Sequence, residues 1–576
     1  KFMLLSLVDW AIIILFFIIS LGIGLYVSKK SGKSAKNFFL SGRDMSWWLL
    51  GISMVATTFA ADTPGLVAGL VRNDGVYGNW VWWSFLLTGM LTVFFYSKLW
   101  RKSEITTDLE FYELRYSGKS AAFLRGFRAL YLGVFFNIVI MATVCLAAIK
   151  IGHVMFNFTA VESLLISCSI TVLYSMLGGL KGVILTDFIQ FAIAITGSIW
   201  ATVYIVQMPE IGGIENLLSV TEVQNKSSIF PDFSRPEIYI PILVVPLAVQ
   251  WWSVWYPGAE PGGGGYIVQR MLAAKNAKHA TLATLLFTIV HYAVRPWPWI
   301  IIGLASLVIF PDIASLATAF PNLNESYIKN DLAYAAMLSF LPAGLLGLVV
   351  TSLVAAFMST ISTHLNWGSS YVVNDFYVRF LKPEASEFKK VFVGRISTLI
   401  MMILSAFLAL ILEEAIEAFN LLLQIGAGTG LLFILRWFWN RINPYSEIAA
   451  MLTSFIVAVI FFVGKHYEFW ELKSHIELVT GVIITTVSWV SVTLLTKPTD
   501  DKTLKAFHHK VFDGKPKFKN FKFKFLGFIS GVAGVYAVLF ATGYLIYSNY
   551  YLFMLATGIS ILSILTIVLN WKKITD

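Results

Sequence analysis

Four hydroxyls and a few carboxylates sit inside stretches otherwise made of apolar residues, and their spacing limits what they can do. Residues 356–363 read Ala356-Phe357-Met358-Ser359-Thr360-Ile361-Ser362-Thr363. Positions three and four apart share a helix face. Ala356, Ser359, Thr360 and Thr363 therefore form one stripe, with Ser362 beside it. Hydroxyls in apolar helices commonly bond back to their own helix or to a neighbour. A stripe this dense can also offer neutral oxygens to a hard monovalent cation. Thr186-Asp187 places a carboxylate at the head of another apolar run. A carboxylate in such a place is a functional candidate by default, although Lys181 is close enough for water to reach it. His291, Arg295, Lys150 and His364 are read as pairing, snorkelling or packing groups.

Two apolar stretches are interrupted. One reads Ala56-Thr57-Thr58-Phe59-Ala60-Ala61-Asp62-Thr63-Pro64-Gly65; the other reads Trp255-Tyr256-Pro257-Gly258-Ala259-Glu260-Pro261, then Gly262 through Gly265. Proline removes a backbone donor and clashes with the preceding turn, so each cluster should end or unwind a helix. In lipid the freed carbonyls need protein, water or a bound ion. Either break alone would be explained by a proline kink. Both together, each beside a carboxylate (Asp62, Glu260), point to a binding site between two halves of a transporter. The four glycines lack the Lys-Ser/Thr of a phosphate loop, and Gly426-Ala427-Gly428-Thr429-Gly430 is read as close helix packing. Trp80, Trp82, Trp83, Trp251, Trp252, Trp255 and Tyr256 cluster near the breaks. Most belong to an interfacial belt or to packing, with one or two placed to stack on a sugar face or a cationic headgroup.

The elements that must position these groups follow from composition. Of 576 residues, 57% are hydrophobic and 13% charged, about half the charged share of soluble proteins. The apolar residues fall into long runs, the mark of a polytopic α-helical membrane protein. At about 20 residues per crossing, fifteen spans are expected. They begin near residues 8, 46, 78, 124, 158, 183, 239, 280, 331, 390, 415, 446, 475, 525 and 550. Lys and Arg follow the odd-numbered spans, whereas Glu210, Glu215, Glu222, Asp232 and Glu237 follow span 6. That alternation sets the N-terminus outside and the C-terminus inside a cell membrane. The two cysteines, Cys145 and Cys168, form neither a metal motif nor a disulfide framework. Net charge is +10; its densest part, the Lys/Phe-rich loop from Lys497 to Lys524, is read as contacting anionic lipid headgroups, not nucleic acid.

The broken stretches are spans 2 and 7, five spans apart, which fits two five-helix repeats. The expected organisation is a peripheral helix and loop (1–45), a first repeat (46–210) and an extracellular loop (211–238). A second repeat (239–440), peripheral helices (441–497), a basic cytoplasmic loop (498–524) and a C-terminal helix pair (525–576) complete it.

Several motifs together resemble the sodium:solute symporter family. They are Phe38-Phe39-Leu40-Ser41-Gly42-Arg43, Ser46-Trp47-Trp48, Gly178-Gly179-Leu180-Lys181-Gly182 leading into Thr186-Asp187, Gln269-Arg270, and Ala356-Phe357-Met358-Ser359-Thr360, with Asp375 downstream. The resemblance implies an all-α membrane protein with the inverted-repeat fold of the leucine transporter, and sodium as the coupling ion. By position it assigns the main sodium site to backbone oxygens of Ala56, Phe59 and Ala356 and the hydroxyls of Ser359 and Thr360. A second sodium in some members would match Asp187, Ser359, Ser362 and Thr363. Thr58 and Thr63 should face the solute, joined by Asp62, Trp83, Trp255, Tyr256 and Glu260. Carboxylates accept hydroxyl bonds and rings stack on sugars, so a sugar or polyol is expected, carried by a monomeric transport unit through alternating access. An amino acid, an organic cation or a sialic-acid-like solute is the alternative, and proton coupling a variant that the neutral hydroxyls disfavour. A sensor on a transporter scaffold is the competing class. No nucleophile–base pair supports an enzyme.

Overall fold

A computed structural model describes residues 5–31, 33–254, 260–412, 422–514, 516 and 518–575, and these are helical without β-strands. The helices that matter for the site are α1 (Leu7–Ser31), α2 (Trp47–Thr58), α3 (Thr63–Asn73), α4 (Val76–Ser103), α5 (Gly118–Phe156) and α6 (Ala160–Val206). They continue with α7 (Pro236–Trp252), α8 (Gly265–Ala273), α9 (Ala277–Ile309), α10 (Leu345–Leu381) and α11 (Glu387–Ala409). The chain ends with α12 (Gly430–Leu435), α13 (Pro444–His466), α14 (Ser474–Leu495), α15 (Phe521–Ile546) and α16 (Tyr550–Thr575).

Among the described residues, eleven helices are long and apolar enough to cross a membrane, or twelve with the bent pair α2–α3 taken as one span. Residues 160–173 and 236–252 form shorter apolar helices. The 47 residues of α6 would reach about 70 Å as a straight rod, twice the hydrocarbon thickness. Gly179, at φ 55° and ψ −168°, breaks that rod where the sequence separates spans 5 and 6. Such a dihedral pair is open only to glycine. The span expected from residue 331 begins later, at Leu345. A separate helix, Leu332–Leu338, precedes it. Pro342 has no N–H to continue that helix and Gly344 turns at φ 85°, a stop that hydropathy does not register. Part of the span expected near 415 lies outside the described residues.

The break in span 2 is local chemistry. Phe59 leaves the helix at φ −92° and ψ 75°, and α3 restarts with Pro64 in its first turn, where a missing N–H costs nothing. The two halves meet at 56°.

α10 is the hub. Of its apolar window 89% is buried, against 17% for the peripheral α16, and it packs on α1, α2, α5, α6 and α11. Its start is tied to α1 by one carboxylate. Asp9 Oδ1 accepts the N–H groups of Gly344 and Gly347, each at 2.7 Å, and Oδ2 accepts the Ser6 hydroxyl at 2.6 Å. These N–H groups belong to the unsatisfied first turn of a helix, whose dipole favours a negative charge. Gly347 is required there, because a Cβ would lie 2.5 Å from the Asp9 Cα.

The C-terminal pair α15–α16 grips the scaffold from outside. Gly531 packs on Met90 of α4, and the Trp297 indole N–H donates to the Leu539 carbonyl at 2.8 Å. In the basic loop, a helix over Asp501–Phe512 buries Leu504, Phe507 and Val511 and turns Lys502, Lys505 and Lys510 outward. Phe507 meets Trp437 and Phe111.

Replacing Asp9 with Ala would leave two helix-start N–H groups without their acceptor, at a cost of about 1–3 kcal/mol. The expected outcome is a lower midpoint of thermal unfolding in detergent. An unchanged midpoint would remove Asp9 as the anchor of α10.

Candidate cation and solute site

Asp187 stands at the centre of a buried polar cluster shared by α2, α6, α8 and α10. Its carboxylate accepts the Ser53 hydroxyl at 2.5 Å on one oxygen and the Ser359 hydroxyl at 2.6 Å on the other. Arg270 of α8 approaches to 3.9 Å. The guanidinium is linked through its neighbours: Nε donates to Ser53 Oγ at 3.2 Å, Nη2 to Thr363 Oγ1 at 2.7 Å and Nη1 to Gln269 Oε1 at 2.9 Å. Thr57 donates to the Ser53 carbonyl at 2.9 Å, which leaves its oxygen to accept from Thr363 at 3.0 Å. Gln269 reaches onward to the Phe39 carbonyl and to Asn366. Asp187, Arg270, Ser53 and Thr363 are all wholly buried. A buried charge is tolerated when it is paired and hydrogen-bonded, and this network supplies both conditions.

The expected cation ligands fall beside this cluster. Ala56, Phe59, Ala356, Ser359 and Thr360 are all buried. The Phe59 N–H turns back to the carbonyls of Val55 and Ala56. The Phe59 carbonyl, at the break, accepts no hydrogen bond from the described residues. The Thr360 hydroxyl donates to the Thr57 carbonyl at 2.7 Å and thereby holds α10 to the last turn of α2. Both hydroxyls send their protons to protein acceptors, Ser359 to Asp187 and Thr360 to Thr57, so their lone pairs remain available to a cation. This donor set fits a hard monovalent ion. Ser362 bonds back to the Ser359 carbonyl at 3.1 Å. Thr363 is engaged by Arg270, so the group already facing Asp187 and Thr363 is a guanidinium.

Next to the cation ligands lies a cavity of about 160 Å³, lined by the α2–α3 break and by α4, α5, α8, α9 and α10. Thr58, Asp62 and Thr63 line it as expected, and so do Thr57 and Thr360. Its aromatic wall is Trp82, Tyr266 and Tyr292. Trp83 is fully buried away from the cavity, edge-on to Trp80, and its carbonyl accepts the Tyr536 hydroxyl of α15. Glu260 lies on a smaller cavity of about 50 Å³ that shares Tyr266, His291 and Tyr292. It is paired with Arg128 at 2.8 Å, in a buried group that includes Arg436 and Glu447. Trp255 and Tyr256 fall outside the described residues.

The residues that sequence reasoning passed over are Ser53, Arg270 as the partner of Asp187, and the pair His291–Arg295. Arg270 had a signal, an arginine in the apolar half-helix after a break. Arg295 follows a π-type turn in which its N–H reaches the Val290 carbonyl at 3.4 Å, with Pro296 next; such turns recur at functional sites.

Asp187→Asn removes the carboxylate beside Arg270, and Arg270→Gln removes the guanidinium beside Asp187, so each variant should lower stability by about 1–3 kcal/mol. The double variant should cost less than the two summed. Additive losses in a thermal-unfolding cycle would show that the two groups are not coupled.

Comparison with known proteins gives the family and the fold. The description of the sodium:solute symporter family matches residues 38–454. A sodium/glucose cotransporter of Vibrio parahaemolyticus is 25% identical over 497 residues, covering 83% of this chain and 90% of that protein. Human sodium/myo-inositol cotransporter 2 is 26% identical over 533 residues, covering 84% and 76%. A Na+-coupled sialic acid symporter, solved substrate-bound and outward-open, matches with a TM-score of 0.69 at 22% identity over 86% of this chain and 99% of that one. That likeness shows a shared fold, the inverted-repeat arrangement of the leucine-transporter type. By the extent of the family match and the helices that carry it, this chain is a polytopic membrane protein that belongs to the sodium:solute symporter family.

Proposed function

We propose that the protein imports a small hydroxyl-bearing organic solute of the sugar or polyol class together with sodium, by alternating access. The observation that carries this reading is Thr360. Its hydroxyl belongs to the cation ligand set and is bonded to the α2 break, and the same residue lines the solute cavity. An ion held there pulls α10 and the break together, and the cavity wall is built from those same elements. A ligand shifts a conformational equilibrium only by its differential affinity for the two states. Sodium gains that difference when the ligands from α2 and α10 converge on it, and the solute meets a wall already set.

Asp187 acts in this reading as the outer anchor of Ser359. Arg270 already supplies the positive charge beside it, which supports one sodium per cycle over two. The lysine and arginine pattern supports an N-terminus outside and a C-terminus inside, with sodium entering down its gradient from outside. The glucose and myo-inositol specificities in the names of the similar proteins agree with Thr58, Thr63 and Asp62 as hydroxyl partners and Trp82 as a stacking ring.

The test is thermal stability of the purified protein in sodium, potassium or choline chloride at equal ionic strength, since a ligand of the folded state raises stability by mass action. Sodium alone should raise the midpoint, and a bound solute should raise it further. Ser359→Ala and Thr360→Ala should each shift the sodium titration to higher concentration by roughly tenfold, the loss of about 1.4 kcal/mol of ligand energy. Equal midpoints in sodium and potassium would contradict the reading, as would wild-type sodium response in both variants.

A further inference from the structure

The solute cavity holds a guanidinium that, among the described residues, forms no ion pair. Arg295 of α9 lines it, is 2% exposed, and has no carboxylate within ion-pair distance among the described residues. Its contacts are sparse and long: Nη1 to Thr58 Oγ1 and Nη2 to His291 Nε2, each at 3.4 Å. Its Nε hydrogen finds no acceptor, and its plane lies over the Trp299 ring at 5.4 Å. The other buried cations of the core are engaged: Arg128 with Glu260, Arg270 through Ser53 and Thr363, and Lys150 with Asp331 at 2.7 Å. Arginine presents five donors in a rigid fork. Burying that fork nearly unsatisfied is costly, and membrane proteins keep such groups where a substrate or an ion meets them.

The surroundings hold the fork in place. Thr58 donates to the Val55 carbonyl at 2.9 Å, so its oxygen accepts from the Nδ1–H of His291 at 3.0 Å. That tautomer leaves His291 Nε2 as the acceptor for Arg295 Nη2. Asp62 lines the same cavity and is partly open to it. It lies outside ion-pair distance of Arg295 and of Lys150. The cavity thus presents a cation and an anion that do not touch each other, with Thr58, Thr63 and Trp82 also on its wall.

We infer that the transported solute is a small organic acid whose carboxylate is held by the fork of Arg295, with its hydroxyl or ammonium donors facing Asp62. A carboxylate is the planar, two-oxygen acceptor that a guanidinium matches. A neutral sugar would leave the fork without a planar two-oxygen acceptor. This inference rests on the symport reading and narrows its substrate class, favouring a hydroxylated acid over the parent sugar.

The test pairs each acid with its uncharged counterpart in sodium chloride: D-glucuronate against D-glucose, D-gluconate against sorbitol, and L-threonine against L-threoninamide. Binding is read from the thermal midpoint of the full chain. In at least one pair the acid should stabilise the protein, and its counterpart should bind on the order of tenfold to a hundredfold more weakly. A glucuronate or gluconate response identifies a hydroxy acid, and a threonine response a zwitterion. Arg295→Gln should abolish the preference for the acid while the sodium-induced shift persists, which shows the variant folded. Arg295→Lys, which keeps the charge and loses the fork, should retain part of the preference. Three results would overturn the inference: equal or tighter binding of the neutral members, an acid response that survives Arg295→Gln, or no pair in which the acid binds better. Absence of any sodium shift in the wild-type protein would instead overturn the symport reading itself.

Discussion

A single carboxylate, Asp187, buried with both oxygens engaged, governs the arrangement of the site. An ionised carboxylate away from water survives only if it is hydrogen-bonded and balanced by charge. Here those partners come from different helices: Ser53 from α2, Ser359 from α10 and the guanidinium of Arg270 from α8. Meeting the demands of one group therefore brings both broken helices and the central α10 to one place. The hydroxyl Ser359 gives to Asp187 belongs to the oxygen set proposed for the cation. The structural demand and the functional one are met by the same atoms.

In the proposed mechanism, coupling follows from how closely the expected cation ligands and the cavity are built together. Thr57 and Thr360 are joined by one hydrogen bond and both line the cavity. On the other side of that cavity, α9 contributes His291, Tyr292 and Arg295 from an irregular turn. The helix hub itself is held by remote constraints, Asp9 at the start of α10 and the C-terminal pair clasping α4 and α9. These tie the scaffold together around the break. The loop helix over Asp501–Phe512 adds to this, because its apolar face lies on protein and its lysines face outward.

Much of this was legible in the chain. Hydroxyls at 359, 360 and 363 stand out because helical spacing puts them on one face, and Asp187 stands out because charge is rare in apolar runs. The break after α2 was visible as Pro64 near small residues, while Pro257 lies outside the described residues. What was not legible is tertiary pairing. Glu260 beside a break reads as a solute ligand until Arg128, far away in sequence, is found against it. Arg295 reads as a paired or packing group until the fold shows that, among the described residues, no carboxylate comes within ion-pair distance of it. Trp82 and Trp83 are adjacent, and only the rotation of α4 decides which faces the cavity. The late start of α10 escaped because Pro342 and Gly344 interrupt a stretch that remains apolar throughout.

In the proposed mechanism, cation occupancy at the α2 break and α10 drives solute movement. The most direct measurement is uptake of a solute that binds, by purified protein in liposomes, with sodium outside only and then with sodium equal on both sides. The account predicts transient accumulation above the external concentration under the sodium gradient and simple equilibration without it. Equal accumulation in both conditions, or accumulation that follows an imposed proton gradient and ignores sodium, would contradict it.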